Sequence, residues 1–365
     1  MTPPDDRIMT GSLSPANDRA NRLFVYLASA YALLIVYASL HPFSGWRITE
    51  GLSPFLFLNT RWPLYWTFSD IAFNIVAYMP LGFLFVPFFR NWTRPKKAFL
   101  LSCVFCTALS LCLESLQTYL SSRVPSNLDL ACNALGAFLG ALSAFRLGDR
   151  LIVGVAALQA KFLVAHQAEA GVVLAALWLL TQFSPESILF GTGNLRTLFE
   201  IAIVIPYAPT LFFALETGIV ALHTAAVGLF VSVLLHLRKR ALFPSIVVFF
   251  CVAIALRSLA GAVLIDSAHA FSWMTPGARL GLLCGSALLF LVLALPRASH
   301  VVFAGLALMA GTALVNIVPT NPYSMIMDAW DQGHFLNFNG LTRLVSTLWP
   351  FLALIVLIVM DRRSY

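Results

Sequence analysis

The sequence predicts an all-α protein, a polytopic transmembrane helical bundle of about ten spans. Of its 365 residues, 59% are hydrophobic and only 11% are charged, whereas about 25% of the residues of soluble domains are charged. The mean hydropathy is +0.84. Most apolar residues stand in runs of about 20, the length of helix that crosses a hydrocarbon core. Because that core offers no water to backbone N–H and C=O groups, such runs predict helices.

The positive charge of the chain bears on its partners. The formal net charge of +7 would suggest nucleic acid in a soluble protein. Here the lysine and arginine residues mostly occupy short segments between apolar runs, a pattern that orients a protein in a membrane. The sequence therefore predicts membrane lipids as partners and no nucleic acid.

The chain begins with a polar tail. Residues 1–18 are rich in proline and aspartate, which predicts a disordered cytoplasmic tail. The apolar run 23–40 follows Arg19 and Arg22 and is not followed by a small-residue cleavage site. We therefore expect this run to remain as the first span.

Residues 42–69, here called the aromatic loop, hold eight aromatic side chains. Amphipathic aromatic side chains collect at membrane–water interfaces. We expect this loop to lie on the outer surface as an interfacial anchor. The alternative is a lid over a site beneath it.

The first four spans form a compact unit over residues 23–147, and residues 148–365 form a second helical membrane region of about six spans. In that second region, residues 151–168 are mildly amphipathic and predicted to be interfacial. Residues 198–209 are too short to cross the bilayer, and two prolines interrupt them. The ten spans are predicted at residues 23–40, 70–89, 98–120, 129–145, 171–183, 211–237, 243–265, 278–295, 301–318 and 344–360.

The distribution of positive residues predicts the orientation. Ten spans place both termini on one side of the membrane. Of the 23 lysine and arginine residues, 16 fall on the side of the termini and six on the other, with Arg257 inside a span. Since positive loops stay in the cytoplasm, both termini are predicted to be cytoplasmic.

Seven polar side chains stand within or beside the second, third and fourth spans. A charge at the bilayer centre costs about 2.5–3.5 kcal/mol on insertion scales, so these residues need an explanation. The predicted topology brings all seven near the outer surface, where we expect one shared site. The candidate binding residues are Asp70, Asn74, Glu114, Gln117, Arg123, Asp129 and Asn133.

The spacing of four of these residues repeats. Asp70 and Asn74 are four residues apart at the beginning of one span, as are Asp129 and Asn133 at the beginning of another. This spacing puts the acid and the amide on one helical face. Each aspartate is also close to a helix N-terminus, where the helix dipole favours a negative charge.

The other three candidates follow the third span and its end. Glu114 and Gln117 share a face, and Arg123 lies in the short loop that follows. Arg123 would neutralise the carboxylates while the amides complete the hydrogen bonds. If the site is catalytic, the candidate acid/base residues are Glu114 and Asp129. The structural alternative is a cluster that only joins helices, through hydrogen bonds worth about 0.6–2 kcal/mol each.

Small residues predict close helix packing. Gly136 and Gly140 form a G-x-x-x-G motif on the fourth span, which lets another helix approach closely. Pro80 and Gly82 predict a kink or a locally narrow stretch in the second span. The six cysteines lie in apolar runs without a disulfide pattern. No metal and no cofactor are predicted.

The second region has polar features of its own. Arg257 lies inside a span, nine residues before Asp266. The predicted outer loop 319–342 is either an ordinary capping loop or a ligand-binding edge, since its Asp and His spacing fits no standard metal site. The residues of that edge would be Asp328, Asp331, His334, Asn337 and Asn339.

The ordered pattern D-x-x-x-N…P-L-G-F…E-x-x-Q…R…D-x-x-x-N-x-x-G-x-x-x-G over residues 70–140 resembles the VanZ family of bacterial membrane proteins. The family unit would correspond to residues 23–147, and the form with further spans resembles proteobacterial members. The resemblance implies a multi-pass protein of the bacterial inner membrane with a role in the cell envelope. The family is named for a protein that lowers susceptibility to the lipoglycopeptide teicoplanin.

Three hypotheses of function follow. The first is a binding protein for an envelope lipid, a glycan precursor or a lipophilic glycopeptide-type antibiotic. The second is a membrane-embedded enzyme acting on a lipid-linked envelope substrate. The third is a proton-coupled transporter, against which the absence of a second, inverted family-like half in the sequence counts.

Overall fold

The structure is a computed structural model that describes residues 15–361 with short gaps. The gaps are residues 48–50, 52, 64, 164–167, 185–186, 200–204, 236, 238, 266, 320 and 322–334. The tail prediction for residues 1–14, Asp266 and most of the predicted loop 319–342 thus lie outside the described residues.

The described chain is all-helical, and its only extended pairings are two isolated bridges. Nine of its helices are long and apolar enough to cross a membrane. The nine are α1 (Pro15–Leu40), α2 (Phe68–Arg90), α3 (Pro95–Gln117), α4 (Asn127–Leu147), α8 (Pro209–Leu234), α9 (Lys239–Ala260), α10 (Pro276–Leu293), α11 (Arg297–Ile317) and α12 (Phe335–Asp361). The shorter helices are α5 (Asp149–Phe162), α6 (Ala168–Thr181) and α7 (Arg196–Phe199).

Three helices differ from the predicted spans. The span predicted at 171–183 is α6, whose 14 residues measure only about 21 Å at 1.5 Å per residue. Helix α1 begins at Pro15, inside the predicted tail, because proline suits the first turn of a helix. Helix α12 begins at Phe335, inside the predicted outer loop. The cytoplasmic location of the termini stays a prediction.

The chain divides into two compact units. Unit 1 comprises residues up to Ser29, Pro63–Ser110 and Leu128–Lys161, and unit 2 comprises Ala30–Trp62, Leu111–Asn127 and Phe162–Tyr365. Helices α1 and α3 therefore contribute residues to both units.

In unit 1, glycines bring α2 and α4 into backbone contact. A Cβ atom built on Gly82 would overlap the backbone of Ala137, and one on Gly136 or Gly140 would overlap the backbone of Ile75 or Met79. Only glycine allows this approach, which confirms the close packing predicted from the G-x-x-x-G motif.

In unit 2, α8 is the central helix. In its most apolar stretch 72% of the residues are buried, against 28–39% for the other eight long helices. Helices α10 and α11 pack along it, and Gly281 and Gly285 of α10 face the backbone of Thr217 and Ala221. Buried aromatic side chains, among them Trp178, Phe230 and Trp349, complete the core.

Candidate functional site

The seven predicted site residues fall into two groups, one in each unit. Unit 1 holds Asp70, Asn74, Asp129 and Asn133, here called the acid–amide cluster. Unit 2 holds Glu114, Gln117 and Arg123, here called the arginine cluster. Each group is described by itself, and the convergence of all seven on one site stays a prediction.

Asp70 caps its own helix. Its backbone N–H donates to Thr67 Oγ1 at 3.2 Å, and the Thr67 N–H donates back to Asp70 Oδ2 at 2.9 Å. This reciprocal pair is a capping box at the beginning of α2. The predicted position of Asp70 at a helix N-terminus is therefore correct.

The rest of the acid–amide cluster joins helices. Asn74 Nδ2 on α2 donates to Asp129 Oδ1 on α4 at 2.8 Å. Asn133 Nδ2 on α4 donates to Ser110 Oγ on α3 at 3.0 Å. Asn133 Oδ1 is buried and has no hydrogen-bond partner within the described residues. Sequence reasoning missed Ser110, although it lies four residues before Glu114 in the same helix.

Arg123 of the arginine cluster is anchored to the end of α1. Its Nη2 donates to the carbonyls of Ala38 at 3.3 Å and His41 at 3.0 Å. No hydrogen bond joins its Nε or Nη1 to the described part of the chain. Burial lowers the pKa of Arg123, and the nearby Glu114 carboxylate acts in the opposite direction. The guanidinium is therefore held through Nη2, and its Nε and Nη1 carry hydrogen-bond donors that no described residue uses.

Glu114 and Gln117 fix the backbone around Arg123. Glu114 is only 5% exposed, and its Oε2 accepts a hydrogen bond from the Ser126 N–H at 2.9 Å. Gln117 Nε2 donates to the Ser39 carbonyl at 2.9 Å. These two hydrogen bonds hold the loop that carries Arg123 and the end of α1 against α3.

The aromatic loop is fastened beside Arg123. Its residues up to Trp62 belong to unit 2, and four hydrogen bonds join them to residues 118–127. The donors and acceptors are Arg47 N to Tyr119 O (2.8 Å), Ser121 N to Gly45 O (3.2 Å), Thr118 Oγ1 to Pro54 O (3.4 Å) and Asn127 Nδ2 to Thr60 O (2.9 Å).

This fastened part of the loop also exposes large apolar side chains. Only Phe57 among its aromatic residues is buried. The exposed apolar side chains are Phe43, Trp46, Phe55, Leu56, Leu58 and Trp62. An apolar surface of this kind therefore lies next to the loop that carries Arg123.

Helix α12 also reaches the arginine cluster, which sequence reasoning missed. A Cβ on Gly340 would overlap the imidazole of His41, so the ring lies flat on the α12 backbone. The pKa of His41 is lowered, first by burial and then by Arg123 and Arg343. Asn339, predicted to lie on a loop edge, is helical and only 2% exposed. No local sequence signal links positions 41 and 340.

A second polar arrangement lies around residues 182–195, here called the buried segment. This segment follows the short helix α6, and its described residues form no regular helix. Phe190 and Gly193 have positive φ angles of 63° and 87°, and Phe190 and Thr192 are each 1% exposed. Non-helical backbone at membrane depth is stable only where protein or water satisfies its polar groups.

Side chains from other helices form hydrogen bonds with the backbone of the buried segment. His223 Nε2 on α8 accepts from the Thr192 N–H at 3.2 Å. Asn316 on α11 donates to the Gly193 carbonyl at 2.7 Å and accepts from the Leu195 N–H at 2.8 Å. The contacts from the remaining helices are Thr347 Oγ1 of α12 to Asn194 O (3.1 Å) and Arg257 of α9 to the carbonyls of Ser184 and Ser187.

No group of three or more His, Cys, Asp or Glu side chains within the described residues could hold a metal ion. The polar side chains of the arginine cluster are one guanidinium, one amide and one carboxylate. Such a set can bind and orient an anionic or polar head group.

Comparison with known proteins places part of the chain in a family. Residues 11–148, which include all of helices α1 to α4, match the family model VanZ/LLP1. No curated protein and no solved structure matches the chain. Residues 11–148 are thus similar to the VanZ/LLP1 family, and the nine helices able to span a bilayer in the described part indicate a multi-pass membrane protein.

Proposed function

We propose that this protein binds the head group of an amphipathic envelope molecule at the arginine cluster. The ligand is an envelope lipid, a glycan precursor or a lipophilic glycopeptide-type antibiotic, and its binding changes envelope properties or antibiotic susceptibility. The membrane is the bacterial inner membrane, with the cluster at its outer surface.

One observation carries the proposal. The Arg123 guanidinium is partly buried and held at Nη2 by two carbonyls. Its Nε and Nη1 keep donors for a ligand within the described geometry, and an arginine fork suits anionic head groups. Beside it, the fastened aromatic loop offers exposed Trp and Phe side chains. Such side chains suit the boundary between head groups and acyl chains.

The test compares Arg123→Gln with Arg279→Gln, each in the full-length protein in phosphatidylcholine nanodiscs. Arg279 is an exposed arginine at the beginning of α10 and serves as the matched control. Fluorescently labelled teicoplanin is the probe. Loss of hydrogen bonds from a charged group, about 1.5–3 kcal/mol, should weaken binding about tenfold or more in Arg123→Gln only.

Arg123→Lys separates folding from recognition. This variant keeps the charge but loses the planar guanidinium fork. It should fold as the wild type does and bind teicoplanin with an affinity between those of the wild type and Arg123→Gln. Equal affinity of the wild type and both Arg123 variants would refute the proposal. In cells that express the chain, susceptibility to teicoplanin should follow the binding order.

The enzyme hypothesis has a separate test. Glu114→Gln should abolish turnover of a lipid-linked substrate in an enzyme while leaving binding largely intact. A binding protein should keep its envelope phenotype in this variant. The backbone hydrogen bond to Glu114 favours a fixed carboxylate and so supports the binding role.

Transport is a second candidate because of the buried segment. Discontinuous helices near the middle of the membrane form the binding sites of many transporters, and the described part of residues 182–195 is a non-helical stretch between the short helices α6 and α7. Transport predicts substrate flux in proteoliposomes that stops when the pH gradient collapses. Flux that is unaffected by the gradient would exclude proton coupling.

A further inference from the structure

Resting on the proposed function, we infer that the arginine cluster is a site for a phosphate or pyrophosphate group that His41, Gly340 and Arg343 complete. The C-terminal helix α12 would then supply half of a site that the VanZ-like part begins. The ligand is the phosphorylated head of an envelope lipid or the same anion free in solution.

His41 is the residue where three chain segments meet. Its carbonyl accepts from Arg123 Nη2 at 3.0 Å, and its ring lies flat against Gly340. Arg343 follows Gly340 by three residues on α12, the spacing that keeps two residues on one helical face. All of these residues belong to unit 2.

The charges around His41 are mainly positive. Arg123 and Arg343 both lie close enough to lower the pKa of His41, after the larger effect of burial. Glu114 is the carboxylate that acts on Arg123. Because the imidazole is therefore neutral near pH 7, it can donate one hydrogen bond without adding a charge.

Two buried polar atoms point to a missing partner. Within the described residues, His41 Nδ1 and Asn339 Oδ1 are buried and have no hydrogen-bond partner, and Asn339 is 2% exposed. Buried polar groups are nearly always paired in folded proteins. A bound oxyanion would accept from His41 Nδ1–H, and a water molecule beside it would donate to Asn339 Oδ1.

The ligand class follows from the geometry of the two arginines. A carboxylate has two oxygens in one plane, and a single guanidinium fork binds both of them side by side. A phosphate or pyrophosphate has oxygens in several directions and can accept from Arg123, Arg343 and His41 together. Two cations on separate segments therefore favour a phosphorylated ligand over a carboxylated one.

The experiment measures binding of three probes to the full-length protein in phosphatidylcholine nanodiscs, with intrinsic tryptophan fluorescence as the readout. The probes are farnesyl pyrophosphate, inorganic pyrophosphate and, as the uncharged control, farnesol. Farnesyl pyrophosphate should bind at least tenfold more tightly than farnesol. Equal affinity for inorganic pyrophosphate indicates a free anion as the ligand, and a clear preference for the farnesyl form indicates a lipid.

Variants separate this inference from the proposed function. Arg343→Gln should weaken pyrophosphate binding about tenfold or more, Arg343→Lys should bind with intermediate affinity, and Arg279→Gln should bind as the wild type does. Normal binding by Arg343→Gln together with loss in Arg123→Gln would overturn the inference and keep the proposed function. Normal binding by both variants would overturn both. A wild-type protein that binds teicoplanin but no pyrophosphate would overturn the inference alone.

Discussion

Units 1 and 2 both contain glycine contacts between helices, but they differ in the continuity of their backbone. In unit 1, α2 and α4 touch through glycines, and the helices are continuous. In unit 2, a non-helical segment runs among helices that give it side-chain hydrogen bonds. The comparison teaches that hydrogen bonding of irregular backbone can be added to small-residue packing, which Gly281 and Gly285 also provide in unit 2.

The largest loss of stability should come from placing a side chain at the glycine contact between α2 and α4 in unit 1. Gly140→Leu would place a side chain in the backbone of Met79 and should cost about 3 kcal/mol or more. Gly154 has open space around its Cβ position, so Gly154→Leu should cost less than about 0.5 kcal/mol. Thermal unfolding in detergent measures both, and hydrogen exchange should place the loss in unit 1. Comparable stabilities would show that α2 and α4 do not depend on this contact.

The matching change in unit 2 is Asn316→Leu. It leaves the Gly193 carbonyl and the Leu195 N–H without their partner, at a cost of about 2–3 kcal/mol. Ser245→Ala, which removes an exposed hydroxyl bonded within its own helix, is the control. Faster hydrogen exchange in residues 187–195 with unchanged unit 1 is the expected result. Exchange that rises equally in both units would contradict the comparison.

A smaller loss of stability should follow from removing the hydrogen bond between Asn74 and Asp129 in unit 1. A double-mutant cycle of Asn74→Ala and Asp129→Ala measures the coupling of that hydrogen bond. Interhelical hydrogen bonds in membranes contribute about 0.6–1.7 kcal/mol. A coupling near zero would mean that the glycine contacts alone fix α2 against α4.

The smallest effect is the dependence of the stability of unit 2 on pH. The four histidines that the structure describes, His41, His223, His269 and His300, all fall in unit 2. The pKa of His41 in the folded protein is lowered from its ordinary value near 6.5, so the unfolded chain binds its proton more readily. Stability from this group is therefore present above about pH 6.5 and declines as the pH falls toward the folded pKa.

His41→Gln should flatten this decline in unit 2, as measured by hydrogen exchange between pH 5 and 7.5. Unit 1 should show no histidine-dependent change in the same range. A wild-type pH profile in the variant would assign the dependence to another histidine.

The sequence predicted the apolar spans well because run length and hydropathy are local properties. It also predicted the close approach at Gly136 and Gly140 and the helix-end position of Asp70. It placed the beginning of α12 nine residues too late, since the polar residues Asn337 and Asn339 looked like loop residues. A buried amide such as Asn339 cannot be recognised from the sequence without its neighbours.

Long-range partners were the other part that the sequence did not reveal. Asn316 binds a segment more than 120 positions earlier, and Gly340 packs on a histidine near the first helix. No periodicity or spacing rule joins such positions. The sequence singled out Glu114, Gln117 and Arg123 as members of one seven-residue site, and nothing in it indicated the contact between His41 and α12.

The partners of the buried segment have a consequence for synthesis of the chain. Residues 182–195 leave the ribosome well before His223, Asn316 and Thr347, which supply their hydrogen bonds. Until the last helix has entered the membrane, the backbone of this stretch lacks these hydrogen-bond partners and must stay in water, in the translocon or against a chaperone. Reporter fusions truncated after residue 195 should therefore give a misleading topology, and only the full-length chain with inserted tags will map it correctly.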